Sequence, residues 1–341
     1  MRTFYAAETA LHSPNVFMLR GRLAPNEERA ERAERLLTGL ARLGLTPDEP
    51  AAAPAASLAA VHSPRYLDFL ETAHAAWSQL PNAGDEVLAN TQPRLADATY
   101  PASIVGRAGW HVGDHGSPIG AGTWQGARRA ADTAVAAAEV TATGAPAYAL
   151  CRPPGHHAAR ETAGGHCFLN NAAIAAEVLI AKGARPAILD IDVHHGNGTQ
   201  SIFYERGDVL FVSIHTDPSV FYPFFNGYAR ECGTGAGEGA NINMPLPLRA
   251  GDEPWLAAIR TALGHIETFG ADSLVLSLGL DVHASDPLGG MSVTTEGIGR
   301  AGEILGGTGL PTALIQEGGY LSEPLTDNIA AFLGGFMETA R

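Results

Sequence analysis

Long apolar runs are missing from this chain, and no stretch is long and apolar enough to cross a bilayer as a helix. The N-terminal stretch "MRTFYAAETALHSPNVF" has no unbroken apolar segment, so no signal peptide is expected. Cysteine is scarce. Cys151, Cys167 and Cys232 form an odd set without framework spacing, which reads as reduced thiols in a reducing compartment. Positive charge is also short, with 22 Lys and Arg against 36 Asp and Glu and a formal net charge of −14. That balance argues against a nucleic-acid groove or an anionic membrane surface as partner, and it suits a cationic substrate. Internal repeats and low-complexity tracts are absent apart from Ala-rich patches. These absences together lead us to expect a soluble, cytoplasmic protein.

What is present is ample material for a core, with 341 residues of which 45% are apolar. Helical spacing of apolar residues marks "NEERAERAERLLTGLARLG" and "SPRYLDFLETAHAAW". Leu80 to Pro118 breaks into Gly, Pro, Asn and Asp, and is long for a structureless loop, so we expect a functional insertion or an oligomer contact there. From Gly122 onward, helices alternate with short apolar, β-branched runs, namely "APAYALC", "PAILDID", "VLFVSIH", "SLVLSLGLD" and "TALIQEGG". This alternation predicts a single α/β domain over residues 1–341, with a mostly parallel β-sheet covered by helices on both faces.

In open sheets of this kind ligands bind beyond the carboxyl ends of the strands, and the unusual residues fall there. Four runs lead into "RPPGHHAAR", "VHHGNGT", "LDVHASDPLGG" and "GGYL". Asp190, Asp192 and His194 are spaced by two, so an extended backbone points them one way. Asp192 and His194 suit one divalent ion with Asp281 as third ligand and Asp190 behind them, an open set of the catalytic kind. The plain alternative is two loop-capping aspartates and a satisfied core histidine. His156 and His157 follow two stiffening prolines, and a neutral imidazole beside metal-activated water serves as general base and then acid. Left alone, such a pair is two surface histidines. Tyr320 in "EGGY" offers a phenol to an oxyanion, with packing as the ordinary reading.

The stretches "CRPPGHHA", "GGHCFLNNAAIAA", "LDIDVHHGNGTQSIFY", "SLGLDVHASDPLGG" and "QEGGY", in that order from Cys151 to Tyr320, resemble the histone deacetylase and acetylpolyamine amidohydrolase family of the arginase–deacetylase fold, in its bacterial type. The resemblance implies hydrolysis of an N-acetyl amide to acetate and a free amine. The substrate would be an acetyl-lysine side chain or small acetylated amine, or an acetylpolyamine proper; a catalytically silent acetyl-ligand binder is the rival of another class. It implies Zn²⁺ on Asp192, His194 and Asp281, a donor set that also accepts Fe²⁺, Co²⁺ or Mn²⁺. His157 would be the base, His156 its electrostatic partner backed by Asp190, and Tyr320 the oxyanion donor. Asn197 stands behind His157 where some members carry Asp.

A structural K⁺ is implied at Asp190, Asp192, His194, Ser213 and Ile214, and a second near Phe203, Arg206 and Val209. Along the substrate tunnel the resemblance maps Phe225 to one aromatic wall and His166 to the other. Gly165 would present its carbonyl to the scissile amide, Leu288 would touch the stem, and Asp114 would grip N–H groups at the rim. The Leu80–Pro118 insertion would build a homodimer, or a higher homo-oligomer, that narrows the mouth.

Overall fold

The structure, a computed structural model, describes residues 1–93 and 97–340. In chain order the strands are β1 (Arg2–Phe4), β2 (Val16–Leu19), β3 (Arg22–Pro25), β4 (Ala147–Ala149), β5 (Pro186–Asp190), β6 (Leu210–Thr216), β7 (Asn241–Leu246), β8 (Ser273–Leu278) and β9 (Thr312–Gln316). The helices are α1 (Glu31–Arg42), α2 (Ala55–Val61), α3 (Pro64–Trp77), α4 (Ile104–His111), α5 (Thr123–Thr141), α6 (Asn171–Ala181), α7 (Asn197–Phe203), α8 (Asp252–Phe269), α9 (Thr295–Gly306) and α10 (Leu325–Thr339). Seven strands form one parallel sheet in the order β1-β4-β9-β8-β5-β6-β7, and β2 and β3 form a separate antiparallel hairpin.

The central strands β5, β8 and β9 are mostly apolar because both of their faces are covered. Successive residues alternate between two cores: Ile188, Phe211, Val275 and Ile315 pack on one side, Leu189, Val212, Leu276 and Leu314 on the other. On the first face the alanine-rich α5 and α6 lie close together, with Ala130, Ala131, Ala134, Ala172, Ala173 and Ala176 fully buried. The alanine patches of the sequence are therefore a packing device, since small side chains let helices approach. Local signals place the ends. Ser63 caps α3 through Tyr66 N with Pro64 in the first turn, Asn170 caps α6 through Ala173 N, and Gly270 at φ +74° ends α8.

Three features differ from the sequence expectation. Edge strand β1 has three residues, too few for any periodicity. Edge strand β7 reads "NINMPL", polar and interrupted by Pro245, a residue that only an edge tolerates readily. Within Leu80–Pro118, Ser103 caps the short helix α4 through Val105 N. Residues 94–96 of that segment lie outside the described residues. No helix among the described residues is long and apolar enough to cross a membrane.

Candidate active site

Strands β4, β9, β8 and β5 are neighbours in the sheet, so the four polar loops that follow them meet at one edge. In register, Asp190 lies opposite Ser277 on one side and Ser213 on the other. The charged ends of separate strands are thereby brought within reach of one another.

Asp192, His194 and Asp281 are buried, and their ligand atoms lie within 4.8 Å of one another. His194 Nδ1 is 3.1 Å from Asp192 Oδ1 and 3.3 Å from Asp281 Oδ2. The remaining oxygens are spoken for: Asp192 Oδ2 accepts from Gly318 N at 2.8 Å and Asp281 Oδ1 from Val193 N at 3.1 Å. Asp281 Oδ2 is buried without a hydrogen-bond partner, a costly state for a carboxylate oxygen. The space around it is kept by glycine. A Cβ on Gly318 would lie 2.1 Å from Asp281 Oδ2, and one on Gly279 would lie 2.3 Å from Asp192 Oδ2. Two carboxylates, one imidazole and an orphaned oxygen in a side-chain-free cradle fit a divalent cation.

The electrostatics agree. Burial pushes Asp281 up to about 6, with the charge of Asp192 adding to it. Burial also opposes ionisation of Asp192, but the neighbouring charge of His156 and the hydrogen bond from His194 outweigh it and hold that carboxyl below its usual range. Such crowding of like charge is relieved by a cation.

His156 Nδ1 meets Asp190 Oδ2 at 2.8 Å, and His157 Nδ1 meets Asn197 Oδ1 at 2.6 Å. Because a carboxylate only accepts, His156 donates from Nδ1; burial opposes its charge, but Asp190 and Asp192 raise it to about 10. His157 goes the opposite way. Burial, reinforced by the charges of His156 and His194, keeps it well below the ordinary histidine value. The two rings, 4.0 Å apart, therefore differ in role: one imidazolium, one neutral base with Nε2 free to accept.

Tyr320 is buried, and burial raises its phenol well above the usual range, so it remains a donor. Its backbone N donates to Asp286 Oδ2 at 2.7 Å and its ring lies 4.6 Å below the Arg32 guanidinium. Arg32 Nε donates to Gly319 O at 2.6 Å and its NH2 group to Glu317 O at 2.7 Å. Arg32 also pairs with the buried Glu28, which lies 3.0 Å from Arg152 Nε.

Of the expected tunnel residues, His166 is buried with ring contacts at 5.6 Å to both Tyr320 and Phe17, and its Nδ1 has no partner. Gly165 has φ +51°, and a Cβ there would lie 2.3 Å from His157 Cδ2, so no other residue fits. Leu288 is partly buried and its N donates to Asp286 Oδ1 at 2.9 Å. Asp114 turns out to be a clamp: it accepts from Gly116 N at 2.8 Å, from Gly165 N at 3.1 Å and from Tyr222 Oη at 2.5 Å.

Phe225 requires a correction. It is 86% exposed, because its N turns back onto Pro223 O at 2.8 Å and sends the side chain to solvent. The ring that stands against His157 is Tyr222, 5.0 Å away at 87°, while Phe221 stacks on His194 at 5.1 Å. Sequence reasoning also missed Glu317, Asp286 and Arg32. The signal for Glu317 was available: an acid at the end of an apolar strand, before two glycines.

Comparison with known proteins gives a consistent result. The Histone deacetylase domain family matches residues 26–336. Acetylpolyamine amidohydrolase from Burkholderia pseudomallei is 45% identical, with 98% of each chain covered, and acetylpolyamine amidohydrolase 1 from Pseudomonas aeruginosa is 43% identical, with 100% of each covered. The crystal structure of acetylpolyamine aminohydrolase from Burkholderia pseudomallei superposes over 100% of both chains with a TM-score of 0.97 at 45% identity.

Proposed function

The chain belongs to the histone deacetylase domain family, and from this we propose that it frees small amines, acetylpolyamines among them, from their acetyl group with zinc as its metal. It is a hydrolytic deacetylase of acetylated amines with the arginase–deacetylase fold. The observation that carries the metal and residue assignment is the convergence of Asp192, His194 and the unpartnered Asp281 Oδ2 beside the His157–Asn197 pair. Zinc held there supplies Lewis acidity toward the amide carbonyl and lowers the pKa of water. Fe²⁺, Co²⁺ and Mn²⁺ suit the same donors.

His157, neutral and fixed by Asn197, takes a proton from the attacking water at Nε2 and hands it to the departing amine nitrogen. His156, charged and paired with Asp190, stabilises negative charge as it develops. Tyr320 donates its O–H to the oxyanion that forms from the carbonyl oxygen. His166 and Tyr222 flank the stem of the substrate, Gly165 O receives its amide N–H, Leu288 touches it and Asp114 lies at the rim. A net charge of −14 favours a cationic amine.

A potassium ion at Asp190, Asp192, His194, Ser213 and Ile214 belongs to the same proposal, supported by the register that sets Asp190 against Ser213. So does a homodimer through Leu80–Pro118. The exposed Met18, Leu19 and Leu23 of the β2–β3 hairpin support it, since Met18 N bonds His115 O of that segment. The experiment is turnover of N-acetylputrescine against an acetyl-lysine peptide, with metal content measured on the same sample. Asp281→Ala is expected to lose the metal and to slow turnover by on the order of 10³-fold, several kcal/mol of transition-state stabilisation. Metal retention with undiminished turnover in that variant overturns the assignment.

A further inference from the structure

Glu317, the residue that follows β9, is fully buried, and its side chain meets two main-chain N–H groups and one hydroxyl, with no arginine or lysine on its carboxylate among the described residues. Oε2 accepts from Gly155 N at 2.6 Å and from His156 N at 3.1 Å; Oε1 accepts from Ser277 Oγ at 3.2 Å. Burying a carboxylate away from water is costly, and donors from two other strand ends offset it only in part: burial still pushes Glu317 up to about 7. The two amide donors sit on the loop that carries His156 and His157, and the hydroxyl sits on β8. The same Glu317 lies three residues before Tyr320, on the segment whose carbonyls Arg32 holds.

The histidine loop has little freedom elsewhere. A Cβ on Gly155 would lie 2.4 Å from Asn171 N and 2.7 Å from Leu169 O, so α6 presses on it from behind. Thr199 N bonds His156 O at 3.1 Å from the α7 side. Glu317 is what ties this loop to β9. We propose that Glu317 is a positioning residue that fixes the spacing between the proton-moving His157 and the oxyanion donor Tyr320. The inference rests on the deacetylase reading and adds to it a residue that touches neither metal nor substrate. Its effect falls on kcat, because a misplaced base and donor leave the binding of the stem intact while spoiling alignment in the transition state.

Two variants separate place from charge. Glu317→Gln keeps an oxygen for the two amides and can turn its NH₂ toward Ser277, so it holds position without charge. Glu317→Asp keeps the charge but draws the carboxylate back by one C–C bond, ~1.5 Å, out of reach of both amides. For acetylputrescine hydrolysis, Glu317→Gln is expected within about 5-fold of the parent kcat. Glu317→Asp is expected to lose on the order of 10²-fold with KM and metal content unchanged, the cost of misplacement by about 1 Å. Amide hydrogen exchange at Gly155 and His156 should accelerate in the Asp variant and stay slow in the Gln variant. An Asp variant with parent kcat, or a Gln variant as slow as the Asp one, overturns the proposal. If the Asp variant does not fold, the Gln variant decides: parent-like kcat with slow exchange supports positioning, and a large loss refutes it. Failure of the parent protein to release acetate would instead strike the deacetylase reading, while the exchange measurement still judges the anchor.

Discussion

Replacing Asn197 by Asp puts a carboxylate where an amide oxygen now lies 2.6 Å from His157 Nδ1, with almost no change of shape. A hydrogen bond to a charged partner contributes about 1.5–3 kcal/mol against about 0.5–1.5 for a neutral one, so the imidazolium form gains roughly 1–1.5 kcal/mol. At 1.36 kcal/mol per pKa unit this is about one unit upward. Direct charge attraction at an effective dielectric of 20 and a ring-to-carboxylate distance of ~4 Å is worth about 4 kcal/mol, which caps the rise near three units. Burial of the new carboxylate subtracts from that figure, so a rise of about one to two units is expected.

The sign is fixed by the role of the ring. In the parent, burial and the charge of His156 hold His157 well below 6.5, so the base is lost only in acid. A higher pKa means that protonation, and with it the loss of the base, begins at higher pH. The acid limb of the kcat/KM profile therefore moves up by about one to two units, and the basic limb stays. Acetate release from N-acetylputrescine between about pH 5 and 9 reads this directly, with metal content checked at each pH. An acid limb that does not move, in a variant with parent metal content and parent melting behaviour, refutes the view that Asn197 acts through His157.

Two further outcomes follow from the same geometry. Tyr222→Leu loses a ring contact to His157 and the hydrogen bond to Asp114, together about 2 kcal/mol, so kcat/KM should fall about 30-fold, while Phe225→Ala stays within about 2-fold. The reverse pattern would put the aromatic wall back at Phe225. His62 concerns stability: its Nε2 accepts from Asn170 N at 2.9 Å and its Nδ1 meets Ala159 O at 3.1 Å, an arrangement that only the neutral ring satisfies. Burial drives it from 6.5 to about 4. The unfolded chain takes up the proton first, so this contribution is whole above pH 6.5 and is lost as pH falls toward 4, roughly 3 kcal/mol in all. Urea unfolding of the parent and of His62→Gln should converge by about that amount over this window, and parallel curves would show that His62 does not titrate as argued.

The sheet and the convergence of Asp192, His194 and Asp281 were legible because both follow from short-range rules. Period-two spacing put Asp190, Asp192 and His194 on one side of an extended backbone, and helix–strand alternation put Asp281 and Tyr320 at the same edge. Tyr222 was not legible: "FYPFFNGY" holds several rings, and only the turn of Phe225 N onto Pro223 O decides which one faces His157. Arg32 was hidden for another reason. It lies on α1, far from the site in sequence, and reads as one more charge on an amphipathic helix until Glu28, Gly319 O and Glu317 O surround it. Asp114 was expected at the rim, and what the sequence did not show is that its carboxylate holds Gly116 N, Gly165 N and Tyr222 Oη together.

The residues that escaped the sequence share a physical task. A carboxylate has two oxygens, and at this edge they are divided between architecture and chemistry. Asp192 gives one oxygen to Gly318 N and Asp281 gives one to Val193 N, so each of two strand ends is stitched to another by the ligand it carries. Asp286 holds the backbone of Tyr320, and Glu317 holds the backbone of Gly155 and His156. The stitches cross from strand to strand, so the relative placement of Asp192, Asp281, His156 and Tyr320 is set by the protein's own hydrogen bonds. Gly318 follows from the same requirement, because a Cβ there would enter the space between the two carboxylates, and Gly279 because a Cβ there would run into Asp192 itself. Under the proposed function, Asp192 and Asp281 are held close against their mutual repulsion, which a divalent ion bound between them would relieve.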